Sequence, residues 1–225
     1  MDVNNIKPKL VKDFFDEEDV ALIYKTIDGL IENNLKNGND PYAKPFNKLE
    51  DHGFIVFYEL FDPKVISKVK SGIESLVGHE VDEKGVFFAR YSKKSGVNPS
   101  LLPHFDNVTT MDGHYATTTI QLKSTLDWDI YVEDEKFVMN QGDMLIFSGT
   151  GHIHWRPDVD FEEDDYFDIF LCQSMIKDGQ RDVLNEEYIQ KMDNLAGEYI
   201  RKYEHLLSRS YLERRERKLK REGLL

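Results

Sequence analysis

The first third of the chain carries apolar residues at the spacing of amphipathic helices. One such run predicts a helix over roughly 17–34, and the acidic residues at 16–18 suit a helix N-terminus. A second run follows Asp62-Pro63, a pair typical of an N-cap and a first helical position, and it stops at Gly78. Between the two runs, residues 54–58 are β-branched and aromatic and predict a strand.

Beyond the second helix the apolar period changes from 3.6 to 2, which indicates strands. Short predicted strands are separated by turn residues and cover 86–91, 115–122, 130–132, 136–139, 144–147, 153–155 and 167–172. Many short strands in succession favour an antiparallel sandwich or barrel. Helical spacing returns at about 185–222, so the fold class predicted is α+β with a β core.

A length of 225 residues suits one domain with a sizeable core. We expect a single domain over 1–225 with three parts. Residues 1–80 form an N-terminal helical support with an early strand, 81–176 the β core, and 177–225 a C-terminal helical extension. The apolar stripe of that extension predicts packing on the barrel or on a second subunit, which would give a homodimer.

Composition narrows the function classes. The net charge of -13 argues against a nucleic-acid or membrane-surface partner, because phosphate attraction needs clustered Lys and Arg. Cys172 is the single cysteine and lies in an apolar run, so we expect a buried core residue and a reducing compartment. The N-terminal residues do not resemble a signal peptide and no long apolar stretch occurs, so a cytoplasmic location is expected.

The segment His104-Phe105-Asp106 is the main candidate for chemistry. Residues two apart on a strand share a face, so the imidazole and the carboxylate can reach one point. About fifty residues later an apolar strand over 144–147 leads to a second segment with two histidines, His152 and His154. One of these would complete a set of two histidines and one carboxylate, which suits Fe(II) and leaves coordination positions open for a cosubstrate and O2.

Over about residues 10–175 the chain resembles the Fe(II)/2-oxoglutarate-dependent dioxygenases, particularly the prolyl-4-hydroxylase-like branch. The motifs that carry the resemblance occur in the family's order: Ala89-Arg90-Tyr91, His104-Phe105-Asp106, residues 118–122, residues 142–147, and the histidine pair. It implies a double-stranded β-helix, a jelly-roll or cupin-like barrel with the N-terminal helices packed on one sheet. It also implies Fe(II), 2-oxoglutarate and O2, with succinate and CO2 released.

The same resemblance assigns candidate site residues. The histidine directly before Trp155-Arg156 matches a subgroup of the family, which favours His154 as the third metal ligand over His152. Tyr91 occupies a position where the family often places a tyrosine that hydrogen-bonds 2-oxoglutarate. Gln121 and Thr119 are expected to line the same pocket from the next strand.

The chain departs from the family at the residue that binds the far carboxylate of 2-oxoglutarate. That Arg or Lys normally follows the distal histidine by about ten residues, but residues 157–176 contain neither. Arg156 is the preferred substitute, because it should share the inward face of His154 and can grip a carboxylate with two hydrogen bonds. Arg90 and Lys123 are the other candidates, and a salt bridge at the rim is the alternative interpretation of Arg156.

The sequence therefore predicts an oxygenase that hydroxylates a C–H bond of a small molecule, an amino acid or a protein side chain. Two alternatives stay open. One is a cupin-type metal enzyme that does not use 2-oxoglutarate, and the other is a binding barrel without catalytic activity. Succinate formation coupled to loss of 2-oxoglutarate would separate the first alternative from the main hypothesis.

Overall fold

The computed structural model describes residues 6–41, 47–49, 53–57, 61–93, 98–106, 115–177 and 185–209, with short stretches at 212–213, 216–217 and 220. Three helices of more than one turn occur in these ranges: α1 (Glu17–Lys36), α2 (Pro63–Val77) and α3 (Glu186–Lys202), the last followed by a 3-10 turn at Glu204–Leu206. The strands are β1 (Lys9–Val11), β2 (Asn47–Leu49), β3 (Gly53–Phe57), β4 (Val81–Ser92), β5 (Leu101–His104), β6 (Ala116–Ser124), β7 (Ile130–Val132), β8 (Glu135–Phe137), β9 (Met144–Ser148), β10 (His154–Arg156) and β11 (Tyr166–Ile176).

The strands form two antiparallel sheets. The major sheet has the order β1-β9-β6-β11-β4-β3-β2, and the minor sheet has the order β5-β10-β7-β8. The inner faces pack on one another, since Ile130, Val132 and Phe137 of the minor sheet share a cluster with Leu145 and Phe147 of the major sheet. This arrangement is the predicted double-stranded β-helix, and the predicted α+β class is confirmed.

The N-terminal helices begin and end at the residues expected from their caps. The Asp16 side chain accepts a hydrogen bond from the backbone N–H of Asp19, and the Asp19 side chain accepts one from the backbone N–H of Asp16, which makes a capping box. Asp62 caps α2, and Gly78 ends it in the left-handed conformation with φ of 72°. The apolar faces of both helices pack on the outer side of the major sheet, as predicted. Cys172 is buried in this same cluster.

The apolar face of α3 covers the outer side of the minor sheet. Met192 and Ala196 pack on Phe105 and Ile153, while Ile200 packs near Trp155. The C-terminal extension therefore uses its apolar stripe within its own chain. Among the described helices, none is both long enough and apolar enough to cross a bilayer.

Candidate metal centre

Two core strands bring the predicted ligands together at one end of the barrel. β5 ends at His104, and Asp106 follows two residues later. β10 begins at His154, which pairs directly with His104 across the antiparallel ladder. Because directly paired residues share a face, the two imidazole rings lie 4.2 Å apart between centroids. The pairing of the two strands, and not proximity in sequence, therefore places His154 beside the His-x-Asp segment.

The three side chains present their metal-binding atoms to one point. The ligand atoms of His104, Asp106 and His154 lie within 4.8 Å of one another. Oδ1 of Asp106 is 3.8 Å from Nε2 of His104 and 3.3 Å from Nε2 of His154. No other group of three such side chains converges in the part of the chain that the structure describes.

Backbone carbonyls fix the tautomer of both histidines. Nδ1 of His104 lies 2.7 Å from the carbonyl oxygen of Leu102, and Nδ1 of His154 lies 3.2 Å from that of His152. A carbonyl oxygen only accepts hydrogen bonds, so Nδ1 carries the proton in each ring. The lone pair is then on Nε2, the atom that faces Asp106. Partners of this kind orient metal-binding histidines in proteins.

One carboxylate oxygen of Asp106 accepts a hydrogen bond from the protein, and the other faces the two histidines. The Thr117 hydroxyl donates to Oδ2, and the backbone N–H of Asp106 donates to the carbonyl oxygen of Gly149 at 2.8 Å. The Tyr115 hydroxyl donates to the carbonyl oxygen of Asp106 at 2.9 Å. The carboxylate is therefore held so that only Oδ1 is directed at the two imidazoles, which favours a single metal bond from Asp106.

Gly149 leaves the space that the carboxylate needs. A Cβ added at this position would collide with Oγ1 of Thr117 and would lie 2.5 Å from Oδ2 of Asp106. We expect Gly149→Ala to displace the carboxylate and to weaken metal binding at least about tenfold, as do other changes to the partners of metal ligands. Calorimetric titration of Co(II) into the apo protein checks this.

The matched control for that substitution is Gly29→Ala on α1, where an added Cβ meets nothing within 4 Å. It should leave Co(II) affinity unchanged and raise helix stability, because alanine is the better helix former. Equal Co(II) affinity in the Gly149→Ala protein would contradict the proposed contact.

Electrostatics favours a neutral His104 and an ionised Asp106, the forms that bind metal. Burial lowers the pKa of His104 to about 4, and the neighbouring His154 adds to that effect. Burial opposes ionisation of Asp106, but the neighbouring imidazoles of His154 and His104 and the Thr117 hydroxyl lower its pKa to about 2. Both groups are therefore ready to act as ligands at neutral pH without first losing a proton.

The depressed pKa of His104 predicts a pH dependence for the metal-free protein. The folded-state pKa of about 4 lies below the ordinary value of 6.5, so the unfolded chain binds more protons between these limits. We expect the melting temperature of the apo protein to fall as the pH is lowered from 6.5 towards 4. In His104→Asn the same fall should be shallower. It should not vanish, because burial also lowers the pKa of His152. If the melting temperatures of the wild type and of His104→Asn fell in parallel with pH, His104 would not be the origin of the pH dependence.

His152 is not part of the converging group. It precedes β10, it contributes its carbonyl oxygen to His154, and its own Nδ1 is buried without a hydrogen-bond partner among the described residues. The geometry therefore separates the two histidines that sequence reasoning left as alternatives, and it is His154 that meets His104 and Asp106.

Arg156 lies deep in the barrel and not at its rim. The residue is 3% exposed, and its guanidinium lies over the rings of Phe167 and Trp128 at 4.6 and 5.2 Å from their centroids. One Nη donates to the carbonyl oxygen of Trp128. Among the described residues no carboxylate forms an ion pair with Arg156, so the interpretation as a rim salt bridge does not hold. Burial lowers its pKa to about 10, which still leaves it charged at neutral pH.

Tyr91, Thr119 and Gln121 are buried residues of the major sheet that face the interior of the barrel. Tyr91 is buried, burial raises its pKa, and the charges of Arg156 and Asp106 act on it in opposite directions. Thr119 and Gln121 alternate with Thr118 and Ile120 along β6, so they share the inward face of Thr117. Both are buried, and the hydroxyl of Thr119 has no hydrogen-bond partner among the described residues.

The two other candidate anchors lie on the opposite side of the major sheet. Arg90 donates to both carboxylate oxygens of Asp168, at 2.8 and 2.7 Å, and Asp168 also accepts from the Tyr24 hydroxyl. Lys123 lies over the ring of Tyr24, 4.4 Å from its centroid. Both cations therefore face the α1 side of the sheet, away from His104 and Asp106.

Sequence reasoning did not identify Thr117 and Gly149. Thr117 directly precedes the segment 118–122 that carries the family resemblance. Strand alternation places Thr117 on the same face as Thr119, and this pattern could have indicated that Thr117 faces the site. Gly149 lies in a glycine-containing turn before the histidine pair, which indicates a turn but not a close approach to a carboxylate. That approach depends on which strands are neighbours.

A double-stranded β-helix with two histidines and a carboxylate converging inside one end is the architecture of a class of non-haem iron oxygenases. Two imidazole nitrogens and one carboxylate oxygen suit divalent iron, because such a set occupies three coordination positions and leaves the others open to further ligands. The residues present therefore fit the metal that the fold implies.

Solved structures of 2-oxoglutarate-dependent iron oxygenases share this fold. The epimerase SnoN from nogalamycin biosynthesis, in complex with Fe3+ and α-ketoglutarate, is similar at a TM-score of 0.57 and 10% identity, over 76% of this chain and 79% of that chain. HygX from Streptomyces hygroscopicus, with nickel and 2-oxoglutarate bound, is similar at a TM-score of 0.55 and 8% identity, over 79% of this chain and 86% of that chain. The viral collagen prolyl hydroxylase of Paramecium Bursaria Chlorella virus-1 is similar at a TM-score of 0.52 and 11% identity, over 77% of this chain and 98% of that chain.

Neither a protein-family model nor a curated protein sequence matches the chain. At these levels of identity the structural similarity establishes a common fold.

Proposed function

We propose that this protein is an Fe(II)- and 2-oxoglutarate-dependent oxygenase whose metal ligands are His104, Asp106 and His154. The observation that carries the proposal is the convergence of these three side chains with both Nε2 atoms and one carboxylate oxygen directed at a common point. Bound iron and 2-oxoglutarate would activate O2 for attack on a substrate C–H bond, with release of succinate and CO2.

The buried Arg156 supports 2-oxoglutarate as the cosubstrate. Among the described residues no carboxylate pairs with this guanidinium, which is enclosed by aromatic rings. Burial of an unpaired charge lowers the stability of the fold, and a ligand carboxylate would offset that loss. Residues two apart on a strand are separated by roughly 6.6 Å and share a face, so Arg156 lies one short step deeper than His154. A five-carbon diacid can hold the metal site at one end and the guanidinium at the other.

The remaining inward residues orient the cosubstrate and exclude water. Tyr91, Thr119 and Gln121 supply hydroxyl and amide groups along the path from Asp106 to Arg156. Trp128 and Phe167 enclose the guanidinium, and a low local dielectric strengthens its attraction for a carboxylate. A buried cation at this point supports a site for an anionic ligand beside the metal.

The substrate class follows from the proposed chemistry only in outline. We propose hydroxylation of a C–H bond in a small molecule, an amino acid or a protein side chain. The prolyl hydroxylase and the epimerase with this fold show that one scaffold carries different reactions, so fold alone does not select among them. A homodimer remains a proposal, and it would have to use a surface other than the apolar face of α3, which packs on the barrel.

Anaerobic titration of Fe(II) and 2-oxoglutarate into the apo protein tests the proposed function. The expected result is a visible charge-transfer band that needs both additions and saturates at one equivalent. Under O2 the same protein should release succinate from 2-oxoglutarate. Absence of the band and of succinate in a folded, iron-loaded protein would overturn the 2-oxoglutarate assignment.

A further inference from the structure

β10 is the shortest strand that carries site residues, and its ladder is weak. It contains three residues, of which His154 and Arg156 face inward. Its register with β5 shifts between those two residues, and its pairing with β7 comprises two residue pairs. So short a segment with an irregular ladder needs support from outside the sheet to hold two inward side chains in fixed positions.

That support comes from Trp155, the single outward residue of β10. Its indole is fully buried and stacks on Tyr131 of β7, 4.4 Å between centroids and 20° between planes. The ring of Tyr203, at the C-cap of α3, also contacts the indole, 4.7 Å between centroids, and lies 6.4 Å from the ring of Tyr131. The indole N–H donates to the carbonyl oxygen of Glu133 at 3.3 Å. Trp155 therefore contacts both the minor sheet and the C-terminal extension.

Tyr203 is in turn tied to the β7–β8 turn. Its hydroxyl donates to Oδ1 of Asp134 at 2.6 Å, and Lys202 donates to both oxygens of Asp134 at 2.8 Å. The neighbouring Glu133 adopts a left-handed conformation, with φ of 54°, and donates its N–H to the carbonyl oxygen of Ile153 at 2.6 Å. The turn thus contacts both α3 and the residue before His154.

A second contact holds the other end of β10. The backbone N–H of Asp158 donates to the carbonyl oxygen of Leu206 at 2.7 Å, in the 3-10 turn that follows α3. The C-terminal extension therefore touches β10 through Trp155 and touches the chain again two residues after Arg156.

We propose that Tyr203 is a positioning residue for the metal and cosubstrate sites, acting through Trp155 on His154 and Arg156. The C-terminal extension is then a working part of the site and not only a cover for the minor sheet. This inference rests on the proposed function for the cosubstrate but not for the metal, since His154 belongs to the converging group whatever the cosubstrate is.

Tyr203→Leu tests the proposal, because leucine keeps apolar bulk in the cluster and removes the ring face. The probes are Co(II), whose visible spectrum reports coordination geometry, and 2-oxoglutarate added anaerobically to the Co(II) protein. We expect Co(II) affinity to fall about tenfold, the range seen for partners of metal ligands, with an altered Co(II) spectrum and weaker 2-oxoglutarate binding. Tyr203→Phe keeps the ring and should restore most of both affinities. Tyr131→Leu removes the ring that stacks on Trp155 from β7 and should reproduce the defect.

Ile73→Val is the matched control. Ile73 is fully buried on α2 behind the major sheet, so its truncation lowers the melting temperature without touching β10. It should leave the Co(II) spectrum and both affinities unchanged. A folded Tyr203→Leu protein with wild-type affinities and spectrum would overturn the proposal, as would an equal loss in Ile73→Val. If the wild type binds Co(II) but shows no response to 2-oxoglutarate, the proposed function fails while the Co(II) comparison still decides the role of Tyr203.

Discussion

Asp106→Asn is expected to remove both metal binding and 2-oxoglutarate turnover. The substitution keeps the shape of the side chain and leaves the amide oxygen able to accept from Thr117, so the fold should persist. It removes the anionic oxygen that faces Nε2 of His104 and His154 at 3.8 and 3.3 Å. Because even outer partners of metal ligands contribute 10- to 100-fold, loss of a ligand should lower Fe(II) affinity by more than about 100-fold.

Fe(II) titration under anaerobic conditions and a succinate assay measure these two effects. The control is Asp165→Ala, which removes a carboxylate from the exposed loop before β11, where it accepts from Thr125. That variant should bind Fe(II) and release succinate like the wild type. If Asp106→Asn retained full Fe(II) affinity, the assignment of the carboxylate ligand would be wrong.

Arg156→Leu is expected to give the largest change in 2-oxoglutarate affinity. The guanidinium is buried among Trp128 and Phe167 without a carboxylate partner among the described residues, so a bound diacid would form a desolvated ion pair with it. Truncating one partner of such a pair costs about 2–5 kcal/mol, which corresponds to at least about a 30-fold rise in the 2-oxoglutarate concentration for half-saturation. The measurement is the charge-transfer band as a function of 2-oxoglutarate in the Fe(II)-loaded protein.

The variant set separates this role from a general loss of structure. Fe(II) affinity should stay near that of the wild type in Arg156→Leu, because the metal ligands are untouched. Arg156→Lys keeps the charge but loses the planar two-point contact, so its 2-oxoglutarate affinity should lie between those of the wild type and Arg156→Leu. Lys123→Leu removes a cation from the opposite side of the major sheet and should have no effect on 2-oxoglutarate affinity. A Lys123→Leu defect without an Arg156→Leu defect would reverse the assignment of the anchor.

Local signals in the sequence predicted most of the helices and strands, although β1, β2 and β5 were not among them. The predicted strand at 130–132 agrees with β7, and the N-cap Asp62, Pro63 and the terminal Gly78 define α2 as expected. Strands β4, β6 and β11 extend beyond their predicted ranges, because paired neighbours prolong a strand past its apolar segment. The predicted helix over 185–222 is interrupted, since α3 ends at Lys202 and a 3-10 turn follows. The described residues 209, 212–213, 216–217 and 220 beyond that turn are helical again.

Some residues of the candidate site were predicted from local sequence patterns, and others were identified only from contacts between distant segments. His104 and Asp106 were found as a pair because strand alternation places residues two apart on one face. The choice between His152 and His154 needed the register of β10 against β5, which pairs His154 with His104. The support of Asp106 by Thr117 and Gly149 joins three separate segments, and no local pattern predicts such a contact.

The sequence by itself determined the α+β class, the antiparallel β core, the pair His104 and Asp106 with a third ligand at His152 or His154, and Arg156 as the preferred cation beside them. These properties follow from periodicity and from residue chemistry, which act over a few residues. Only the tertiary structure decided which histidine joins the pair, that Arg156 is enclosed and not paired at the rim, and that Tyr203 packs on Trp155. Those facts depend on strand register and on which face of each sheet is covered, and both are set by contacts between residues far apart in the chain.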